Sequence, residues 1–231
     1  MSRGIATRDR TIADLHVITY ANRHLYEDAL EEYFRLRHQI YVEERRWTQL
    51  ARPDGREIDQ FDTPSTIYLM AIEGPRVVGS HRLVPTSKPN LMSDLFPFLA
   101  MRGLVRSPDV YELSRVFVVR DRRGEQIQPR IESIIMAGTM EFGLIESLRQ
   151  FTIVMETWWL PRFQEMGWNP RPLGVPVDIN GMNCIGIAAN VTEEAWRETC
   201  RKRAVDRPVL VWNGLNAPVL GLPDRALRRA G

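Results

Sequence analysis

The stretch Tyr111-Glu112-Leu113-Ser114-Arg115-Val116-Phe117-Val118-Val119 decides how the rest of the chain is read. β-Branched and aromatic residues dominate it and neither Gly nor Pro interrupts it, so it is a strand. Period-two alternation places Glu112, Ser114, Val116 and Val118 on one face, and Tyr111, Leu113, Arg115, Phe117 and Val119 on the other. Arg115 then stands on an apolar face, where an unpaired guanidinium is costly, and must reach a rim or find carboxylates. Glu112 and Ser114 point together to the opposite side. A single polar residue of this kind is usually a strand end emerging into solvent. Three of them feeding a Val-Phe-Val-Val run mark a candidate site.

Upstream, the pattern from Arg23 to Arg46 is helical, with Tyr26, Ala29, Leu30, Tyr33, Phe34, Arg37, Ile40, Tyr41 and Glu44 recurring at three- and four-residue steps. Arg37 lies in the middle of that stripe and must snorkel or pair beneath the surface. The segment from Trp47 to Thr66 is rich in Pro, Gly and charge and has no period. It carries Asp59 and Asp62 around Phe61, either as turn residues or as the counter-charge that Arg37, Arg82 or Arg115 requires. Ile67 to Glu73 and Val77 to Val84 read as a hairpin around Gly74-Pro75, with Val78, Ser80, Arg82 and Val84 on one face. Arg82 thus repeats the problem posed by Arg115. A short amphipathic helix is expected from Leu91 to Met101, carrying Phe96 and Phe98.

Downstream, Arg120-Asp121-Arg122-Arg123-Gly124 leads into a helical pattern from about Ile131 to Leu148. It is either a phosphate cradle at a helix N-terminus or a plain turn, since it lacks a full nucleotide fingerprint. Phe151 to Glu156 is a strand, Thr157 to Met166 a helix interrupted by Pro161, and Met182 to Ala189 another strand. Thr192 to Arg203 is a capped helix and Pro208 to Trp212 a last strand. A short strand from His16 to Tyr20 precedes them all. Alternating strands and helices, with an early hairpin, predict an α/β fold with a mixed sheet covered on both faces. In such folds ligands lie where strands part at their carboxyl ends.

The whole chain, 231 residues with a formal charge of +2, fits one domain with loose ends at residues 1–15 and 223–231. Its basic residues are scattered and broken by acids, which argues against a nucleic-acid partner. Cys184 and Cys200 form no CxxC pair, and the histidines share no ligand spacing, so no metal is expected. Neither a signal peptide nor a span-length apolar run is visible, which sets the expectation of a cytoplasmic protein without membrane contact.

The residues above, taken in order, resemble the LuxI-type acyl-homoserine-lactone synthases, which make quorum-sensing signals. The likeness runs through Phe34-Arg35-Leu36-Arg37-His38-Gln39-Ile40-Tyr41-Val42, then Trp47, then Glu57-Ile58-Asp59-Gln60-Phe61-Asp62. It continues through Gly79-Ser80-His81-Arg82-Leu83 and Phe96 to Glu112-Leu113-Ser114-Arg115, covering roughly the first half of the chain. The family's charged positions fall on Arg37, Asp59, Asp62, Arg82, Glu112 and Arg115; Tyr41 departs from the family's usual Phe.

The resemblance implies a three-layer α-β-α, GNAT-like acyltransferase fold and two substrates, S-adenosylmethionine and an acyl thioester, with no permanently bound cofactor. The amine of S-adenosylmethionine attacks the thioester, and its carboxylate then displaces methylthioadenosine to close the lactone. Glu112 is the expected base, directly or through a water, Ser114 an oxyanion donor, and Arg115 part of a charge network with Arg37, Arg82, Asp59 and Asp62. Trp47 offers a face to the sulfonium, and Phe96 belongs to the same side. By fold analogy the acyl pocket is Phe117, Met155, Thr157 and Trp158, which have core packing as their alternative role. Bulky aromatics there favour a short, branched or aryl acyl group. Acyl-CoA and acyl carrier protein are both open as donor; scarce Lys near the cleft favours acyl-CoA. The rival readings are an N-acyltransferase that stops at the amide and a non-catalytic acyl-thioester sensor.

Overall fold

A computed structural model describes residues 13–124 and 129–222. Its strands are β1 (Asp14–Ile18), β2 (Ile67–Glu73), β3 (Arg76–Pro85), β4 (Val110–Val118), β5 (Gln150–Glu156), β6 (Arg171–Pro172), β7 (Val177–Ile179), β8 (Met182–Asn190) and β9 (Leu210–Val211). The α-helices are α1 (Glu27–Arg37), α2 (Leu91–Asp94), α3 (Ile131–Ile145), α4 (Leu160–Glu165) and α5 (Glu193–Arg203). The strands form one mixed sheet in the order β6-β8-β5-β4-β3-β2-β1-β9, with β7 paired to β8. The β2–β3 hairpin turns at Gly74, whose φ of +58° is a conformation open to glycine at little cost. β4 and β5 are parallel neighbours joined through α3, while β3–β4 and β5–β8 are antiparallel.

The two sheet faces are covered differently. On one, α1 presents Tyr33, fully buried, to Tyr68 of β2 and Phe117 of β4, with ring centroids 5.2 and 5.9 Å apart. On the other, α3 is apolar along nearly its whole length and packs with α5. Gly138 lets α3 sit close to the sheet: an added Cβ would lie 2.4 Å from a Leu15 methyl. Two carboxylates, one in α3 and one just after its end, hold the C-terminal stretch against it. Glu141 accepts the Val209 N–H at 3.0 Å, and Glu146 accepts those of Val219 and Leu220 at 2.7 Å. Trp168, also fully buried, donates its indole N–H to Thr199 of α5 at 3.0 Å, so its one polar atom is satisfied.

Several boundaries differ from the sequence expectation. The first strand starts at Asp14, so the last residues of the expected loose arm belong to the sheet, with Leu15 in the core. Residues 1–12 and 223–231 lie outside the described residues. The helix expected from Leu91 to Met101 is one turn long, followed by a 3₁₀ turn at Pro97–Leu99. Pro97 has no N–H to continue the helix and pushes Phe96 out of helical geometry, to φ −129°. Pro161, expected to interrupt its helix, instead lies in the first turn of α4, where a missing N–H costs nothing. The short strands β6 and β7 have no pattern in the sequence, and the last strand contracts to Leu210–Val211.

Candidate active site

Two departures from regular sheet build the site. The first is the parting of β4 and β5, whose parallel pairing runs from Val110↔Gln150 to Leu113↔Ile153 and then ends, although both strands continue. The second is a bulge in β4. Arg82 lies opposite Ser114 but Ser80 lies opposite Phe117, so β4 carries one residue more than β3 between those pairs. Arg115 takes up the difference with φ +55°, in the left-handed region that costs a non-glycine residue about 1–3 kcal/mol. The alternation expected through this strand therefore breaks at Arg115. Phe117 passes to the α1 side, and Arg115, expected on the face opposite to Ser114, reaches Asp59, which also holds Arg82, and Glu57 beside it.

Those carboxylates close a buried network of three arginines and three acids. Arg37 donates to Glu57 and, at 2.8 Å, to Asp62. Arg82 grips Asp59 with two hydrogen bonds of 2.6 and 3.0 Å, in a fork-to-fork arrangement. Arg115 donates to both oxygens of Glu57, at 3.0 and 2.9 Å, and to Asp59 at 2.9 Å. Tyr68 adds an O–H bond to Asp62, and the rings of Tyr33, Phe61 and Tyr41 lie against Arg37, Arg82 and Arg115. Burial pushes the Glu57 carboxyl up, but the Arg115 hydrogen bonds and the Arg37 charge outweigh it and bring the group to about 2. Asp62 ends well below the usual carboxylate range for the same reason: burial is overcome by Arg37 and Arg82.

Glu57 is the member that sequence reasoning passed over. Three arginines against Asp59 and Asp62 left one cation uncompensated, and that imbalance was the signal.

Glu112 is placed differently from its network neighbours. It is fully buried, and its two oxygens accept the backbone N–H groups of Leu91 and Met92, each at 2.8 Å. Burial raises its carboxyl from the ordinary 4.5 to about 7 in spite of those two bonds. Leu91, Leu95 and Phe96 line the cavity that the strand parting opens, so Glu112 pins that wall from behind.

The cavity has a volume of about 380 Å³. Ser114, Arg115 and Val116 of β4 face Val154, Met155 and Glu156 of β5 across it. Trp47 and Tyr41 close one side, stacked with centroids 5.4 Å apart. Met136 of α3, Phe163 of α4 and Cys184 of β8 also line it. The Tyr41 hydroxyl donates to the Val116 carbonyl at 2.9 Å, within the part of β4 that has left β5.

Of the expected residues, Trp47, Phe96, Ser114, Arg115 and Met155 line the cavity. Arg37, Asp59, Asp62 and Arg82 lie behind its wall, in the ion network. Phe117 packs on Tyr33, away from the cavity, because of the bulge. Thr157 begins a single 3₁₀ turn and Trp158 is 49% exposed; the turn swings Trp159, not Trp158, onto the lining. The basic turn after β4 is largely neutralised: Arg122 pairs with Glu73, and Arg123 with Glu44 at 2.6 Å. Residues 125–128, between that turn and the helix, lie outside the described residues. No group of His, Cys, Asp and Glu among the described residues is arranged to hold a metal ion. No described helix is long and apolar enough to cross a membrane.

Comparison with known proteins gives a consistent picture. The family model described as autoinducer synthase matches residues 21–198. The isovaleryl-homoserine lactone synthase of Bradyrhizobium diazoefficiens is 54% identical over 178 residues, 77% of this chain and 78% of that protein. The structure of a CoA-dependent acyl-homoserine lactone synthase, BjaI, with SAM and isopentyl-CoA, superposes with a TM-score of 0.83 at 44% identity, covering 88% of this chain and 95% of the other. An acyl-CoA N-acyltransferase from Pseudomonas aeruginosa shares the fold, with a TM-score of 0.55 at 14% identity over 77% of this chain and 99% of its own.

Proposed function

This chain belongs to the autoinducer synthase family and is an acyl-homoserine-lactone synthase, an acyltransferase, and from that premise we propose that S-adenosylmethionine and a short, branched acyl-CoA meet between β4 and β5. The observation that carries the placement is the end of strand pairing at Leu113 and Ile153, which opens an apolar cavity beside Ser114 and Arg115.

The amine nitrogen attacks the thioester carbonyl, and collapse of the tetrahedral adduct expels the thiolate as the nitrogen gives up its proton. The carboxylate oxygen then bonds to the γ-carbon while the carbon–sulfur bond breaks, releasing methylthioadenosine and closing the lactone. That second step is intramolecular, so the enzyme needs mainly to hold a folded conformer.

Ser114 supplies a donor for the oxyanion. Its Oγ accepts from Arg82 Nε at 3.2 Å, which leaves its own O–H to donate toward the cavity. Glu112 takes the amine's proton through a relay, since its carboxylate does not reach the cavity surface; a group brought to about 7 by burial is matched to that task. Arg115 is fixed by Glu57 and Asp59 and holds the bulge that sets Ser114. Arg37, Arg82, Asp59 and Asp62 act from behind the wall, stiffening the stretch from α1 to β2 that carries Trp47, while Glu112 holds the α2 turn that carries Phe96, both on the S-adenosylmethionine side. The acyl group runs inward past Met155 toward Met136 and Phe163. A short branched donor is supported by the isovaleryl specificity named for a relative of this chain, and CoA as carrier by the CoA dependence named for another.

The test is mass spectrometry of the purified protein with S-adenosylmethionine and a panel of straight, branched and aryl acyl-CoAs beside acyl carrier protein thioesters. Isovaleryl-CoA or a near relative should give methylthioadenosine and the acyl-homoserine lactone. Preference for a carrier-protein donor would overturn the donor assignment, and an acyl amide without methylthioadenosine would overturn the lactonisation.

A further inference from the structure

A cation already sits in the cavity wall. Arg45, just beyond the π-turn at His38–Glu44, lays its guanidinium 5.9 Å from the Tyr41 ring centroid and 5.6 Å from that of Trp47. The same guanidinium donates to Glu156 Oε1 at 3.0 Å, reaching from the aromatic wall to the end of β5. All four residues line the cavity, and Glu156 is the one carboxylate among its described lining residues. The other lining guanidinium, Arg115, is taken up by Glu57 and Asp59. Two aromatic faces and an acid around a positive charge are the makings of a cation site.

Resting on the reading that S-adenosylmethionine is a substrate whose sulfonium meets Trp47, we infer that Glu156 and Tyr41 complete the receptor for that sulfonium and that Arg45 is a resident the substrate displaces. A sulfonium has no hydrogen to donate, so it is recognised by field and by aromatic faces rather than by hydrogen bonds. Arg45 can leave cheaply, because its side chain is 38% exposed and its ion pair is half solvated. Glu156 keeps its place when Arg45 goes, since its other oxygen accepts the Trp158 indole N–H at 2.5 Å. The exchange also explains why a cavity with two arginines in its wall admits a positively charged substrate: removing Arg45 from the site leaves Glu156 as the unpaired charge.

The experiment is calorimetric binding of S-adenosylmethionine and of S-adenosylhomocysteine, which lacks the sulfonium charge, to the wild type, Glu156→Gln and Arg45→Met. The wild type should favour the charged ligand. Glu156→Gln should lose about tenfold in S-adenosylmethionine affinity, the size of one partly desolvated cation contact, with S-adenosylhomocysteine changed less than about twofold. Arg45→Met, which frees the site, should bind S-adenosylmethionine several-fold more tightly and leave the uncharged ligand alone. Equal losses for both ligands in Glu156→Gln, or weaker S-adenosylmethionine binding in Arg45→Met, would overturn the inference while leaving the synthase reading intact. A wild type that binds neither ligand would instead overturn the synthase reading on which the inference rests.

Discussion

Replacing Glu112 by Gln separates the two things that this carboxylate does. The backbone N–H groups of Leu91 and Met92 each have one Glu112 oxygen as acceptor. A Gln keeps one oxygen and turns an NH₂ toward the other donor, so one N–H loses its partner, at about 1–3 kcal/mol independent of pH. Against this runs the linkage term. Glu112 is raised from 4.5 to about 7, so between those values the folded protein holds a proton that the unfolded chain has lost. Stability conferred by the protonated group is therefore present below pH 4.5 and falls as pH rises through about 7. The total fall is about 3 kcal/mol at 1.36 kcal/mol per unit. The Gln variant has no such term. Denaturant unfolding of both proteins at pH 5 and pH 8 should show the variant less stable at pH 5 by about 1–3 kcal/mol, with the deficit shrinking or reversing by about 2–3 kcal/mol at pH 8. Because the comparison is between two proteins at each pH, the other titrating groups cancel. A difference in stability that does not change with pH would refute the assignment of a raised, buried carboxyl at this position. Turnover should fall by about 10²–10⁴ as the relay loses its base, and the same loss at every pH would point to displacement of the Leu91–Phe96 wall instead.

Further outcomes follow from the same geometry. Arg37→Ala removes the cation that Glu57 and Asp62 share and leaves three buried acids against two arginines, Arg82 and Arg115; it should cost about 3–5 kcal/mol in chemical denaturation, together with activity. Glu57 and Asp62 have folded values depressed below those of the unfolded chain, so the stability they contribute is present above about pH 4.5 and is lost as pH falls toward 2. An acid unfolding titration should show that loss, and Glu57→Gln should flatten it. Phe163→Ala opens the inner end of the cavity, and competition assays with acyl-CoAs of increasing length should show preference moving to longer chains by about 1–3 kcal/mol per methylene accommodated. Unchanged length preference would mean that the acyl group does not run toward α4.

The elements that alternate or repeat cleanly were legible in the amino-acid order because their patterns are local. The β2–β3 hairpin, α3, β5, β8 and α5 follow from period, turn residues and caps, all of which lie within each segment. The awkward charges were legible too: Arg37, Arg82 and Arg115 stand in apolar stripes, and burial without partners is too costly for a guanidinium, so carboxylates had to be near. The family motifs likewise reside in the order of residues alone.

Tertiary structure decided what those residues face. Alternation predicts two faces for β4, but the bulge at Arg115 shifts every later side chain by one place, and its left-handed φ is tolerable only because Glu57 and Asp59 hold the guanidinium from another segment. The same shift removed Phe117 from the expected acyl pocket, and a one-turn 3₁₀ segment replaced Trp158 by Trp159. Glu112 could be recognised as a candidate base beside Ser114 but not as the buried acceptor for the Leu91 and Met92 amides, nor could Arg45 be seen to reach Glu156 across 111 residues of sequence. The physical reason is common to all of these. Pattern reports the environment a side chain needs, whereas its partner is set by register and by where the strands part, and those depend on the whole sheet.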